Sequence, residues 1–259
     1  MTDMDIAVLG AAGTLGHHLV THLEAAGHTV RALGRRTGVD AVTGDGLAEA
    51  LQGTDLVIDT ISTPSLSARR AVETHTRAAG NIARAAEQGG ARRILCVSIA
   101  GAADPDVHRY FAYYRGKAAQ EATYLEAALP VTLVRSTQWF EIAGLLLSQA
   151  SIGPVALLPT MRMAPVAADR LAARIAREVE VGADDDSADR SVALRGPKEL
   201  TSAQLVRRIL ARRGDIDGRS PRLITELPYL GSAIAGGGLI PADAEVDDMD
   251  LEEWLRTTE

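Results

Sequence analysis

The sequence predicts an α/β protein: a doubly wound parallel sheet over residues 1–150, followed by a small C-terminal α/β lobe over 151–259. Two observations predict the sheet. Its strands read as short unbroken apolar runs, and longer segments with helical spacing stand between them. A strand buried on both faces loses polar alternation, and crossover helices are what cover both faces of a parallel sheet. A third observation sets the lobe apart: after about residue 150 the alternation loosens into a Pro/Gly-punctuated stretch, 152–165.

The first strand is Ile6-Ala7-Val8-Leu9. Residues 14–26 follow as a helix, because Leu15, Leu19 and Leu23 are four apart and share a face, and Gly27 stands where a C-cap is expected. A second strand covers 28–33, a short third one 39–42, and Leu56-Val57-Ile58 a fourth. A long helix over 66–88 stops at Gly89-Gly90. The fifth strand is Ile94-Leu95-Cys96-Val97, then come a helix over 110–128 and a sixth strand, Val131-Thr132-Leu133-Val134. Beyond the looser stretch are a helix over 167–180, a solvated turn from Gly182 to Asp189 and a strand near 191–195. A helix over 202–213 and a strand near 222–227 follow. The last helix starts at Asp250, which has capping-box spacing to Glu253.

Composition narrows the function. The chain is 46% apolar and 24% charged, ordinary values for a packed protein. A single cysteine, Cys96, excludes an intrachain disulfide and suits a reducing compartment; inside a strand it reads as a small buried hydrophobe. No apolar run reaches the roughly 20 residues that a bilayer needs, and the N-terminus lacks a basic region followed by an apolar one, so the expected location is the cytoplasm. A net charge of -7 argues against nucleic acid as a partner. The expected partner is a small-molecule substrate, with neither nucleic acid nor membrane, and a homodimer is compatible with the sequence. His75 and His108 have no companion at metal-ligand spacing, so no metal is expected.

Between the first strand and first helix lies Gly10-Ala11-Ala12-Gly13-Thr14-Leu15-Gly16. Gly10 permits the sharp turn, Gly13 lets backbone approach a pyrophosphate, and Gly16 lets the helix pack closely on the sheet. The helix start then offers free N–H groups and a positive dipole end to phosphates. Ala12, Thr14 and Leu15 belong to the same turn and are expected to contact the coenzyme. An NAD site usually places a carboxylate about 20 residues beyond the glycines. This chain has Arg35 there, followed by Arg36, and a guanidinium suits a 2′-phosphate. The expected coenzyme is therefore NADP(H), preferred over NAD(H). Asp45-Gly46 sits where an adenine amino group is held, and Thr60, Ile61 and Ser62 close the fourth strand beside the coenzyme path.

Tyr113 and Lys117 are four apart on a predicted helix and share a face. A neighbouring ammonium stabilises a phenolate, which fits tyrosine for acid-base work near neutral pH, and the same lysine can reach the nicotinamide ribose. Ser98, at the end of the fifth strand, can orient a substrate carbonyl or hydroxyl. Tyr114, three from Lys117, competes for the role of Tyr113.

The segments Gly10 to Gly16, Ser98-Ile99-Ala100-Gly101, Tyr113-Tyr114-Arg115-Gly116-Lys117 and Arg135-Ser136-Thr137-Gln138-Trp139-Phe140-Glu141 together resemble the NmrA-like branch of atypical short-chain dehydrogenase/reductases. Ala164-Pro165-Val166 and Arg195-Gly196-Pro197 extend the resemblance over almost the whole chain. It implies a Rossmann domain with a small substrate lobe, coenzyme contact at the glycine turn, Arg35 and Lys117, and catalysis at Tyr113. Members include NADPH-dependent reductases of quinones, dyes and plant phenolics, and regulators that bind the dinucleotide without catalysis. A sugar-nucleotide epimerase shares the fold but usually carries a larger substrate domain.

Aromatic residues are scarce, at 3%, yet Tyr110, Phe111, Tyr113 and Tyr114 cluster, and Trp139 with Phe140 forms a second group. Both groups should meet at the carboxyl ends of the strands, where ligands bind in such sheets. A pocket for a flat or apolar molecule is expected there, lined by Tyr114, Gln138, Trp139 and Phe140. Met161 and Met163 fit either a pliable pocket wall or core, and the position of Glu141 is left open. Gly236-Gly237-Gly238, without a strand before it, reads as a flexible loop.

Overall fold

The computed structural model describes residues 3–182 and 188–258, so the aspartates of the turn expected between Gly182 and Asp189 lie mostly outside the described residues. The first half runs β1 (Asp5–Leu9), α1 (Thr14–Ala25), β2 (Thr29–Leu33), α2 (Leu47–Ala50), β3 (Leu56–Asp59), α3 (Ala68–Gly89), β4 (Arg93–Ile99), α4 (Pro105–His108), α5 (Ala112–Leu125) and β5 (Val131–Ser136). Then follow α6 (Ile142–Ala150), β6 (Ser151–Ile152), β7 (Val155–Pro159), β8 (Arg162–Met163), α7 (Ala168–Gly182), β9 (Arg190–Arg195) and β10 (Leu200–Thr201). The chain ends with α8 (Ser202–Arg213), β11 (Leu223–Leu227), α9 (Ser232–Ala235), β12 (Glu245–Val246) and α10 (Leu251–Thr257).

Seven parallel strands form the central sheet in the order β12-β9-β5-β4-β3-β1-β2. The order reverses at β1, which pairs with β2 on one side and β3 on the other. That reversal opens a crevice outside the carboxyl ends of β1 and β3, the place where doubly wound sheets take ligands. One face of the sheet is covered by α1 and α7, through Leu15, Leu19, Leu23, Leu171 and Ile175. The other is covered by α3 and α5, through Ile82, Ala86 and Tyr124. A third core, with Tyr114, Phe140, Leu205 and Trp254, belongs to the lobe.

Two elements differ from the expectation. Residues 39–42 form no strand. Asp40 Oδ1 accepts the amides of Val42 at 2.8 Å and Thr43 at 3.3 Å, and the Asp40 carbonyl accepts that of Gly44 at 2.8 Å. The segment is a turn held by an aspartate side chain. Val39 and Ala41 are nonetheless buried, so the alternation that suggested a strand reflects packing and not pairing.

The sheet also continues past residue 150. Strand β9 pairs with β5, β12 pairs with β9, and α7 lies on the α1 face. The rest of the C-terminal segment builds the lobe from the sheets β11-β7-β6 and β10-β8 with α6, α8 and α10. Among the described residues no helix is long and apolar enough to cross a membrane.

Gly196 links the two parts. A Cβ there would lie 1.8 Å from the Pro165 carbonyl oxygen, while the Gly196 amide donates to Ala164 at 2.8 Å. Backbone on both sides leaves nothing to yield. Gly196→Ala is expected to destabilise the fold by about 3 kcal/mol, read as a fall of roughly 6–12 °C in the thermal unfolding midpoint; an unchanged midpoint contradicts this packing.

Candidate coenzyme and active site

The glycine turn is built as its spacing requires. Gly10 has φ +83°, and a Cβ on it would meet Thr60 Oγ1 at 2.7 Å. The Thr60 hydroxyl donates to the Leu9 carbonyl at 2.8 Å, tying the end of β1 to that of β3. A Cβ on Gly16 would lie 2.3 Å from Gly10 O and 2.7 Å from Ala11 Cα, so the first turn of α1 rests directly on the loop. Gly13 precedes α1 with no side-chain cap, which leaves first-turn amides for an anion. Ala12, Gly13 and Thr14 are exposed, whereas Leu15 is buried in the α1 core and offers backbone only.

Arg35 opens a short 3₁₀ turn directly after β2; it is exposed and forms no ion pair among the described residues. The 38–46 loop folds back beside it. Gly46, at φ +72°, brings its backbone so near Gly38 that a Cβ would lie 2.5 Å from the Gly38 carbonyl. Asp45 is exposed at the tip of that loop and accepts the Thr43 hydroxyl at 2.7 Å. An unpaired cation, an exposed carboxylate and an open glycine turn are a donor and acceptor set that fits a phosphorylated adenosine.

Helix α5 carries the polar centre. The Tyr113 hydroxyl is 2.8 Å from Ser62 Oγ, on the segment that leaves β3. Lys117 is buried and its Nζ donates to Gln120 Oε1 at 2.7 Å, Val97 O at 2.9 Å and Ile61 O at 3.3 Å. Gly116 lets α3 come close, since a Cβ there would be 2.6 Å from His75 Nδ1. The His75 ring meets Tyr113 edge-on with centroids 6.0 Å apart. Its Nδ1 bonds the Ala71 carbonyl at 2.8 Å, and Nε2 has no partner among the described residues. Burial lowers the His75 pKa, and the nearby Lys117 ammonium adds to this against the Ala71 bond, so the ring favours its neutral form.

The two tyrosines part company here. Tyr114 points into the lobe core, its hydroxyl accepts the Gln138 amide at 3.3 Å, and burial pushes its pKa well above the ordinary tyrosine value. Tyr113 is only partly buried and bonds an exposed serine. Ser98 does not join Tyr113. Its hydroxyl donates to Glu121, which is held 2.6 Å from Arg135.

The expected pocket wall is only partly assembled. Gln138 is buried against Tyr114, with its Oε1 unpartnered among the described residues. Trp139 and Phe140 go to different cores: the indole packs on the α1 side and donates to Ser136 at 3.0 Å, while Phe140 lies against Trp254 with ring centroids 5.3 Å apart. Trp139 sits on an isolated bridge to Val166 and the chain turns at Phe140, so the two rings leave the backbone toward different cores. Met161 and Met163 are buried in the lobe core. Glu141 accepts the Ala168 amide at 3.3 Å at the start of α7, with its pKa raised by burial. The triple glycine forms a turn after α9 that comes close to Gly101, just after β4, where a Cβ would lie 2.3 Å from Gly238 O.

Sequence reasoning passed over Asp59, Gln120 and Tyr124. Asp59 Oδ2 accepts from Gln120 Nε2 at 2.6 Å and from the Tyr124 hydroxyl at 2.7 Å, all three side chains being buried. The available signal was an acid ending the apolar run Leu56-Val57-Ile58, opposite a helix with polar residues three and seven beyond Lys117.

Comparison with known proteins agrees with this architecture. The profile described as NAD(P)H-binding matches residues 10–141. No curated protein matches the chain. Among solved structures, a nucleoside-diphosphate-sugar epimerase from Staphylococcus aureus is 17% identical with a TM-score of 0.66, over 98% of this chain and 100% of that one. Triphenylmethane reductase from Citrobacter sp., complexed with NADP(H), is 18% identical with a TM-score of 0.65, over 98% and 99%. A short-chain dehydrogenase/reductase superfamily protein from Agrobacterium tumefaciens with bound NAD is 16% identical with a TM-score of 0.63, over 98% and 95%. At such identities the likeness concerns fold alone. With a family match from Gly10 to Glu141 and a parallel sheet that reverses its order at the glycine turn, the chain belongs to the NAD(P)H-binding family of Rossmann-fold proteins, consistent with the NmrA-like resemblance.

Proposed function

We propose that this chain is an NADPH-dependent oxidoreductase that reduces a carbonyl or quinone-like small molecule, planar or apolar in character. The observation that carries the reading is Tyr113: a partly open phenol, 2.8 Å from Ser62 and one helical turn from the Lys117 ammonium, at the mouth of the crevice beside the glycine turn. The bound coenzyme would supply a hydride at that crevice. Tyr113 would give its proton to the oxygen that becomes a hydroxyl, and Ser62 would hold the phenol in place. Lys117 would stabilise the phenolate left behind. Gly10, Gly13, Gly16 and the amides of Ala12, Thr14 and Leu15 would hold the pyrophosphate, and Asp45, Gly46, Thr60 and Ile61 would flank the adenosine and ribose path. Ser98, spent on Glu121, would brace α5 against β4. Exposed Leu66, Tyr110 and Tyr229 support an apolar substrate: Leu66 follows Ser62, and Tyr110 packs on Gly231, two residues after Tyr229.

Arg35 would choose the coenzyme. Charge-assisted bonds to a 2′-phosphate are worth about 1.5–3 kcal/mol, so Arg35→Ala is expected to weaken NADPH binding roughly ten- to hundredfold and leave NADH binding unchanged. Equal losses for both coenzymes would move the phosphate contact elsewhere.

A second reading is a sensor that binds the coenzyme without turnover and acts through a protein partner. The engagement of Ser98 by Glu121, and of all three Lys117 protons by protein oxygens, favours it. NADPH oxidation measured against a panel of quinones and aldehydes separates the two. Turnover supports the reductase; tight binding without turnover on any acceptor supports the sensor.

A further inference from the structure

A buried ammonium that touches no carboxylate is costly, because its charge has lost water without gaining an opposite charge. Lys117 is such a group: it is 3% exposed and forms no ion pair among the described residues. Its three protons go to two backbone carbonyls and to Gln120 Oε1. Asp59 is the mirror case. It is 0% exposed, also without an ion pair among the described residues, and its oxygens accept the Ile61 amide at 2.8 Å, the Tyr124 hydroxyl and Gln120 Nε2. One buried amide thus accepts from the cation at its oxygen and donates to the anion at its nitrogen, which fixes its orientation.

We propose that Asp59 is the counter-charge of Lys117 and that Gln120 is the positioning residue that joins them, so that the lysine is held aimed at the ends of β3 and β4. The other groups facing this ammonium do not serve. His75 on α3 is driven toward neutrality by burial, and the Cys96 thiol on β4 is pushed above its ordinary value by burial and held neutral. Glu121, one turn on along α5, is bound to Arg135 of β5 and to Ser98. Tyr113 is a phenol engaged by Ser62. The purpose given to Lys117 rests on the proposed reductase reading. The charge pairing itself does not, and it is tested without coenzyme.

The chain holds only two lysines, Lys117 and Lys198. Protein labelled with ¹³C at lysine Cε therefore gives two signals in an NMR pH titration, assigned with Lys198→Arg. In Asp59→Asn and Gln120→Leu the pH at which the Lys117 signal moves is expected to fall by at least one unit relative to the native protein, a tenfold weaker hold on the proton, while Lys198 stays unmoved. Gln120→Glu, which puts a carboxylate directly on the ammonium, should move it the other way and serves if the leucine variant does not fold. A Lys117 titration unchanged in folded Asp59→Asn, or unmoved by Gln120→Glu, overturns the proposal. A failure of NADPH to bind overturns the reductase reading and leaves this result standing.

Discussion

Tyr113→Phe is expected to lower turnover of a quinone or aldehyde acceptor by about 10²–10⁴-fold, the usual worth of a positioned proton donor, with NADPH affinity within a factor of two. The expectation comes from geometry. Tyr113 is the tyrosine on the open side of α5, and the phenylalanine ring keeps its contacts with His75 and Phe111 while the hydroxyl that reaches Ser62 disappears. Tyr114→Phe removes only a 3.3 Å bond to Gln138 inside the lobe core, so it should change stability slightly and the rate hardly at all. Stopped-flow turnover of both variants beside coenzyme titrations makes the comparison. Equal rate losses would return the proton donor to an open question.

Gly16→Ala carries the second large effect. Its added carbon would fall 2.3 Å from one backbone atom and 2.7 Å from another, both in the turn that must receive the pyrophosphate. Neither is the end of a flexible side chain. The helix has to retreat or the turn has to open, and a displacement near 1 Å in a positioned site costs roughly hundredfold. NADPH affinity is expected to drop by at least that factor, measured by the fluorescence of the bound nicotinamide, with far-UV circular dichroism showing the helices kept. Gly13→Ala should be milder, since its Cβ would meet only Gly10 O at 3.2 Å.

The parallel sheet was legible because burial on both faces writes itself into sequence as unbroken apolar runs such as Ile6 to Leu9. Helix α1 was legible for the complementary reason, one leucine per turn. The membership of β9 was not, since pairing with β5 is a contact across more than fifty residues and nothing local marks which sheet a short strand joins. Residues 39–42 misled because Val39 and Ala41 alternate inward from a turn much as from a strand.

At the site, the spacing of Tyr113 and Lys117 on one helix and the exposed Arg35 after β2 were legible, but the 2.8 Å approach of Tyr113 to Ser62 was not, since it depends on how α5 packs beside the segment leaving β3. Trp139 and Phe140 show the limit of reasoning from composition. Scarcity of aromatics made the pair conspicuous, yet the chain turns at Phe140, and the two rings pack against different cores. Asp59 and Gln120 were hidden for another reason. A polar residue at a strand end is usually solvated, and only the packing of α5 over β3 turns these two into a buried link.

Calorimetric titration of the folded chain with NADPH and with NADH tests the coenzyme site most directly. Heat of binding is expected with both, with NADPH tighter by roughly ten- to hundredfold through Arg35. Folded protein that gives no heat with either coenzyme at millimolar concentration contradicts the site, and the chemistry assigned to Tyr113 with it.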